Sequence, residues 1–449
     1  MLILRSISIC YGGCTRGKGT GVSLRVATVL YSIAIVAIPI SVASKFLLGM
    51  TGTTWIDPTL LLALAALLAL FPYWGDFLNG ELRPVSIGAA VLFFLSIVCA
   101  LSGVLLRPPA SLYDALREPL RLLLNLCWFL VSCWFLVHRP RVILLGSILA
   151  VVFGLGAGIY LHLVAFGMAP APAAAISYTR AYLLRQTIWF NGIPIPRMGG
   201  LFFEAPPFGL FMFSMVVVLL VLREKGLYRR WTFWGIAFGV LGVLFSLADQ
   251  VLLAATVGLL FSLPRMGKKY PRIAWPLAIV LTIAVCAFEF QSITVKESSA
   301  TTGIVSRVNG GSVSERSFHI NYGLYLLEAH PIASLFGIGP GRYGEYASET
   351  GYFSDTVNMQ TSELELLVEW GVIGLTVWIA LLGCVAARVW EVNGVLGFGL
   401  LLGLILADSF QANWKYEAVF LAIGALSMRR SINAEEMTPA LLHQQEVTI

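Results

Sequence analysis

Apolar runs of about seventeen to twenty-five residues recur along this chain from one end to the other. Each is long enough to cross about 30 Å of hydrocarbon as a helix, and a helix satisfies its own backbone where no water can. A soluble fold is excluded by the same pattern: 58% of the 449 residues are hydrophobic, 12% are charged and the mean hydropathy is +0.83. Ten-residue stretches of alternating polarity are absent, which argues against an outer-membrane barrel. The expected fold is all-α: a polytopic membrane protein of about twelve transmembrane helices with one large polar loop between the ninth and tenth. The spans are placed near 26–48, 58–74, 85–106, 118–137, 142–166, 201–222, 231–248, 250–263, 273–290, 363–387, 394–410 and 416–428. The segments 250–263 and 416–428 are short for a full crossing.

Lys and Arg set the orientation. With residues 1–25 as an inside tail, most of the 30 basic residues fall in short inside segments, among them Arg139, Arg141, Lys225, Arg229, Lys268 and Arg388. The membrane domain then covers 26–428, and 429–449 forms a second inside tail. Two polar segments lie outside, 167–200 and 291–361. The net charge of +6 is thereby a topology signal, since no aromatic-interleaved basic module points to nucleic acid. The first 25 residues lack a signal-peptide core and cleavage site, so the first span is expected to remain as an anchor. None of the seven cysteines falls in the long outer loop, which leaves it without a disulfide frame.

That loop carries its own punctuation. Asn309-Gly310-Gly311 marks a turn, and Ser312 with Glu315 forms a capping box that starts a helix to about Ala329. His330-Pro331 ends it, because the residue before proline is pushed out of the helical region. Gly337-x-Gly339-Pro340-Gly341 reads as a sharp, backbone-exposing turn. It has neither the following Lys-Ser/Thr nor the preceding strand of a phosphate loop, and an anion nest is the open alternative. Ser362 with Glu365 starts the next membrane helix, so Gln360, Thr361 and Ser362 stand at a helix N-terminus, where unpaired N–H groups favour an anion.

These pieces together carry a resemblance. Arg197-Met-Gly-Gly200-Leu-Phe-Phe-Glu204, a polar loop with Arg316, the His330-Pro…Gly337-x-Gly339-x-Gly341 stretch, and Glu369-x-Gly371-x-x-Gly374-Leu375 are similar to the bacterial O-antigen ligase/polymerase superfamily over about 190–385. The resemblance implies a metal-independent glycosyltransferase of the cell inner membrane with no cofactor. Its donor would be an undecaprenyl-diphosphate-linked glycan. The partners implied are that lipid-linked glycan, membrane lipid, and chain-length regulator and flippase proteins, with no nucleic acid. Ligases of the superfamily carry His-Asn, His-Ser or His-Gln, then nine residues, then Gly-x-x-Gly. Here Gln360-Thr361 occupies that place, which favours a polymerase of exopolysaccharide or O-antigen repeat units over a ligase acting on lipid A core.

A departing diphosphate needs fixed positive donors where no metal serves, and arginine grips phosphate oxygens bidentately. Arg316 leads the candidates, followed by Arg197, Arg307 and Arg342. Their competing readings are a solvated helix residue, an interfacial anchor and ordinary loop charges. The proton of the attacking hydroxyl needs an acceptor, for which Glu363, His319 and His330 are the candidates. Glu363 can equally be a helix-start carboxylate favoured by the macrodipole. Glu204, at an apolar span start, is a costly placement that suggests a role. A transporter is the non-enzyme alternative; it would place charged or broken-helix elements at mid-membrane along a pathway.

Overall fold

The computed structural model describes residues 18–47, 58–109, 112–170, 187–190, 193–202, 205–226, 229–248, 250–258, 260, 312–349, 362–409 and 417–428. Six described helices are long and apolar enough to cross a bilayer. They account for helices α1 (Lys18–Leu47), α4 (Arg83–Leu106), α5 (Leu112–His138), α6 (Pro140–Ala165), α7 (Ala205–Glu224) and α12 (Ser362–Ser409). The expected span at 273–290 lies outside the described residues, as do residues 1–17, the tail 429–449 and the loop segments 291–311 and 350–361, whereas residues 18–25 of the expected inside tail already belong to α1.

Two expectations changed shape. The span placed at 58–74 ends early: α2 (Pro58–Ala69) stops, a 3-10 turn at Phe71–Tyr73 follows, and the chain bends by 61° into α3 (Trp74–Leu78). Pro72 sits in that turn, where it has no N–H to continue the ladder. In the other direction, α12 runs on through the expected gap between 387 and 394. Its 46-residue apolar stretch would measure about 70 Å if straight, more than twice the hydrocarbon thickness. It is not straight: Gly371 (φ 67°) and Gly394 (φ 59°) leave the helical region, and the second break falls where the boundary was read. Two shorter apolar helices, α8 (Arg229–Ser246) and α13 (Glu417–Ser427), are also described, and residues 250–258 of the expected span 250–263 are helical.

Helix α7 is the axis. It is apolar on every side, and 83% of its span is buried within the protein. On one side α8 approaches through Gly235, Gly239 and Gly242, whose missing side chains leave room for Leu219, Val216 and Met212. On the other side α13 wedges between α5, α7 and α12. Two polar contacts tie helices together in the interior: Trp128 Nε1 donates to the Glu417 carbonyl at 2.9 Å, and the Tyr31 and Ser132 hydroxyls pair.

The outer segment 167–200 contains an element the all-α expectation did not include. Strands β1 (Thr187–Phe190) and β2 (Ile193–Pro196) form an antiparallel hairpin, with Thr187 opposite Pro196 and Phe190 opposite Ile193. Asn191-Gly192 lies between them in sequence, the dipeptide that most strongly favours a two-residue hairpin turn.

Polar contacts sort by helix end as an alternating up-and-down chain requires. At the end carrying residues 312–349 (the loop end), α4 and α5 meet the glycine turn, and Arg197 meets Leu247. At the opposite end Lys225 donates to the Met428 carbonyl at 2.8 Å, and Arg388 faces Glu81 at 3.6 Å.

Candidate functional site

The loop end is built around the glycine turn. Helix α9 (Ser312–Ala329) begins at the predicted capping serine and ends before His330, whose extended backbone (φ −130°, ψ 92°) caps α10 (Pro331–Phe336) with Pro331 in its first turn. Residues 337–342 then fold down onto the start of α12. Ile338 N–H donates to the Val368 carbonyl at 2.9 Å, and Gly339 N–H to the Glu369 carbonyl at 3.1 Å. Two glycines make the docking possible. A Cβ on Gly337 (φ 78°) would overlap the Glu369 carbonyl, and one on Gly371 (φ 67°) would overlap the Leu335 carbonyl. The two glycine motifs of the sequence are the two halves of one backbone-to-backbone contact.

The anion nest considered for this turn is occupied from within. Glu369, 4% exposed, takes the Gly341 N–H at 2.7 Å and the Tyr343 N–H at 3.3 Å on its two carboxylate oxygens. Backbone N–H groups converging on a carboxylate are strong, charge-assisted bonds. Glu369 is a site residue that sequence reasoning placed in a motif without giving it a role.

Arg342 faces inward. It is 1% exposed, and one terminal nitrogen donates to the carbonyls of Gly103 (2.6 Å) and Arg107 (2.8 Å) at the C-terminus of α4. Its Nε and second terminal nitrogen both donate to Glu345, at 3.0 and 2.9 Å. A guanidinium on the last carbonyls of a helix is favoured by hydrogen bonding and by the macrodipole. Arg342 is therefore a clamp between α4 and the turn.

Three further arginines, none singled out in the sequence, ring this clamp. Arg107, which follows α4, pairs with Glu349 and lies 5.1 Å over the Tyr346 ring. Arg117 and Arg121, one turn apart near the start of α5, straddle Glu118 at 3.7 and 3.8 Å, and Arg117 reaches the Gly341 carbonyl at 3.5 Å. Arg117 is 34% and Arg121 41% exposed, whereas Glu118 between them is 10% exposed. The Arg117 Nε–H is buried without a hydrogen-bond partner. A signal for this pair was in the sequence, two arginines four apart at an outer helix start, but it looked the same as an interfacial anchor.

His319, 2% exposed, lies beneath the turn with Nδ1 2.8 Å from the Tyr343 hydroxyl. Burial pushes the Tyr343 phenol above its usual range, so it stays protonated and can donate. Burial likewise raises Tyr346, with Arg342 and Arg107 opposing the shift. Tyr322, whose hydroxyl donates to the Tyr346 carbonyl at 2.7 Å, completes the aromatic floor.

The remaining candidates divide by position. Glu363 is exposed in the first turn of α12. His330 is half-buried, eleven residues beyond His319 and so about 16 Å of helix rise away; the two histidines do not share a site. Arg316 occupies α9 one turn before His319, with its side chain outside the described atoms. Glu204, Arg307, Gln360 and Thr361 lie outside the described residues. Arg197 belongs to another corner: its Nε donates to the Leu247 carbonyl at 3.0 Å, and the 3-10 turn that follows it, Gly200–Phe202, packs on α1, α6 and α7. Among the described residues no cluster of His, Cys, Asp or Glu is placed to hold a metal ion. No protein-family model matches the chain, and no curated protein matches it.

Proposed function

We propose that the protein polymerises undecaprenyl-diphosphate-linked oligosaccharide repeat units into exopolysaccharide or O-antigen at the periplasmic face of the inner membrane. The observation that carries the reading is the set of guanidinium groups at the loop end of the bundle, with Arg117 half-buried and Arg121 exposed on either side of Glu118, beside an internally satisfied turn. A membrane-anchored diphosphate presented at that depth would meet fixed donors without a metal ion.

In this reading the hydroxyl at the non-reducing end of an incoming lipid-linked repeat attacks the anomeric carbon of the growing chain. The new C–O bond forms as the bond from that carbon to the diphosphate oxygen breaks, and the electron pair stays on the diphosphate. Arg117 and Arg121 hold the developing charge, with Arg316 one helix away and Arg107 at the rim. Glu363, an exposed carboxylate in the first turn of α12, takes the hydroxyl proton. His319 and Tyr343 act beneath the surface, holding the turn in place. Arg342 and Glu369 fix the floor on which the donors stand.

The test is purified protein in detergent with the lipid-linked repeat unit, resolved on a gel. A product ladder supports the polymerase. A single band transferred to lipid A core indicates a ligase instead, and no product with either acceptor removes the enzyme reading.

A further inference from the structure

A second feature lies at the opposite end of the bundle. A cavity of about 580 Å³ opens between the first half of α4, the middle of α5, and the facing stretches of α12 and α13. Its wall is apolar, with Leu92, Leu126, Phe129, Trp378, Leu381 and Phe420 contributing, and its only charged lining groups are Glu81 and Arg388. Both sit at the helix ends away from the glycine turn. The rim is incompletely satisfied. Arg388 holds Glu391 at 2.9 Å but reaches Glu81 at only 3.6 Å, and the second carboxylate oxygen of Glu81 is buried without a hydrogen-bond partner.

We propose that this cavity binds one phospholipid with a phosphoethanolamine headgroup, drawn from the leaflet at the Arg388 end. The volume lies within the range of small-molecule sites. A transmembrane helix about 10 Å across fills roughly 400 Å³ per turn, so the space holds barely more than one turn of a partner helix. An acyl chain suits the wall, because its lining side chains are apolar and helices of this length and hydropathy stand in lipid. The headgroup follows from the rim's charges. Glu81 and Glu391 are balanced by Arg388 and by Lys225, whose ammonium is held on the Met428 carbonyl, so the rim favours a zwitterionic headgroup over a purely anionic one. A primary ammonium supplies the N–H that the orphaned Glu81 oxygen requires, while the adjoining phosphate meets Arg388. A choline headgroup has no N–H to give. The inference depends on the membrane-spanning character of the helices and not on the proposed chemistry at the loop end.

Native mass spectrometry of the full chain, delipidated and then offered equimolar phosphatidylethanolamine, phosphatidylcholine and phosphatidylglycerol, reads this directly. One phosphatidylethanolamine is retained per protein, at least about tenfold over the other two, as a charge-assisted contact would give. Glu81→Gln loses that preference. Gly88→Leu loses the bound lipid altogether, because a Cβ at Gly88 stands in open contact 3.6 Å from Leu381 at the cavity wall and a larger side chain projects into the space. If Gly88→Leu does not fold, Cys384→Phe at an exposed wall position replaces it. The proposal is overturned if no lipid is retained by the wild type, if phosphatidylglycerol or phosphatidylcholine is held as strongly, or if the filled variants retain phosphatidylethanolamine unchanged.

Discussion

Two corners at the loop end each present an arginine that the sequence alone marks as a phosphate ligand, and the structure treats them differently. In the corner of α6, α7 and α8, Arg197 closes a loop by donating to the carbonyl of Leu247, a non-glycine residue at positive φ (46°). In the corner of α4, α5 and α12, Arg342 performs the same carbonyl-clamping task from a fully buried position, and further arginines stand outside it at the surface. An arginine at a membrane face is thus first a means of satisfying helix-end carbonyls. In the α4–α5–α12 corner that task is already filled, and Arg117 and Arg121 stand beside Glu118 nearer the surface, which is why the proposed function assigns the anion to this corner.

The sharpest way to break the comparison is through the glycines that hold each corner. Gly337→Val places a side chain on the Glu369 backbone at a positive φ, where neither strand of chain can yield. The expected cost is about 4 kcal/mol or more, read as loss of the cooperative thermal transition in detergent and early proteolysis between 291 and 361. Gly200→Ala in the Arg197 corner meets only the Phe208 ring at 3.2 Å, a neighbour that can shift. It should cost about 1–2 kcal/mol, chiefly from the φ of 53°. Equal effects would mean that the two corners are built alike.

Next in size is the division of labour among the arginines. Arg117→Ala should lower product formation about 10²-fold, the loss typical of one transition-state donor, with an unchanged melting temperature. Arg197→Ala should do the reverse: about 1 kcal/mol of stability from one hydrogen bond, and product formation within a few-fold of wild type. A stable Arg117→Ala protein with full activity removes the guanidinium ring from the site.

How much of this was legible depended on whether the signal is local. Helix starts at Ser312 and Ser362, the stop at His330-Pro331 and the break at Gly394 were all readable, because capping, proline sterics and hydropathy act within a few residues. The 61° bend after Ala69 was readable from Pro72, and the hairpin from Asn191-Gly192; both were passed over inside longer patterns. What could not be read is where a polar side chain ends. Arg342 and Arg117 look alike in sequence, yet one is buried on carbonyls 235 or more positions away, while the other stays half-buried at the surface between Glu118 and the Gly341 carbonyl. The same holds for Glu369, whose partners lie 26 and 28 residues upstream across a docked turn.

Glu369→Gln tests that docking with a smaller change. The amide nitrogen would turn one of the two acceptors into a donor facing a backbone N–H, at a cost of about 2 kcal/mol. The loss should appear in the melting temperature and, through the displaced Arg117 contact with Gly341, in product yield. A Gln variant as stable as wild type would show that the turn is held by Gly337 and Gly371 alone.

The smallest expected effect separates the buried layer from the reacting one. Tyr343→Phe deletes the hydroxyl that faces His319 Nδ1 and should cost about 1 kcal/mol at neutral pH. Its alkaline behaviour carries the sign. Burial raises the Tyr343 phenol above its ordinary 10.0, so the folded state holds this proton more tightly than the unfolded chain. The associated stability is complete below about pH 10 and is lost as pH rises from there toward the folded value. Wild type should therefore lose more melting temperature between pH 9 and about 11 than Tyr343→Phe does. If His319 instead served as the proton acceptor through this hydroxyl, the Phe variant would lose activity at neutral pH far beyond what its stability explains. Glu363→Gln would then be nearly silent, the opposite of the roles assigned here.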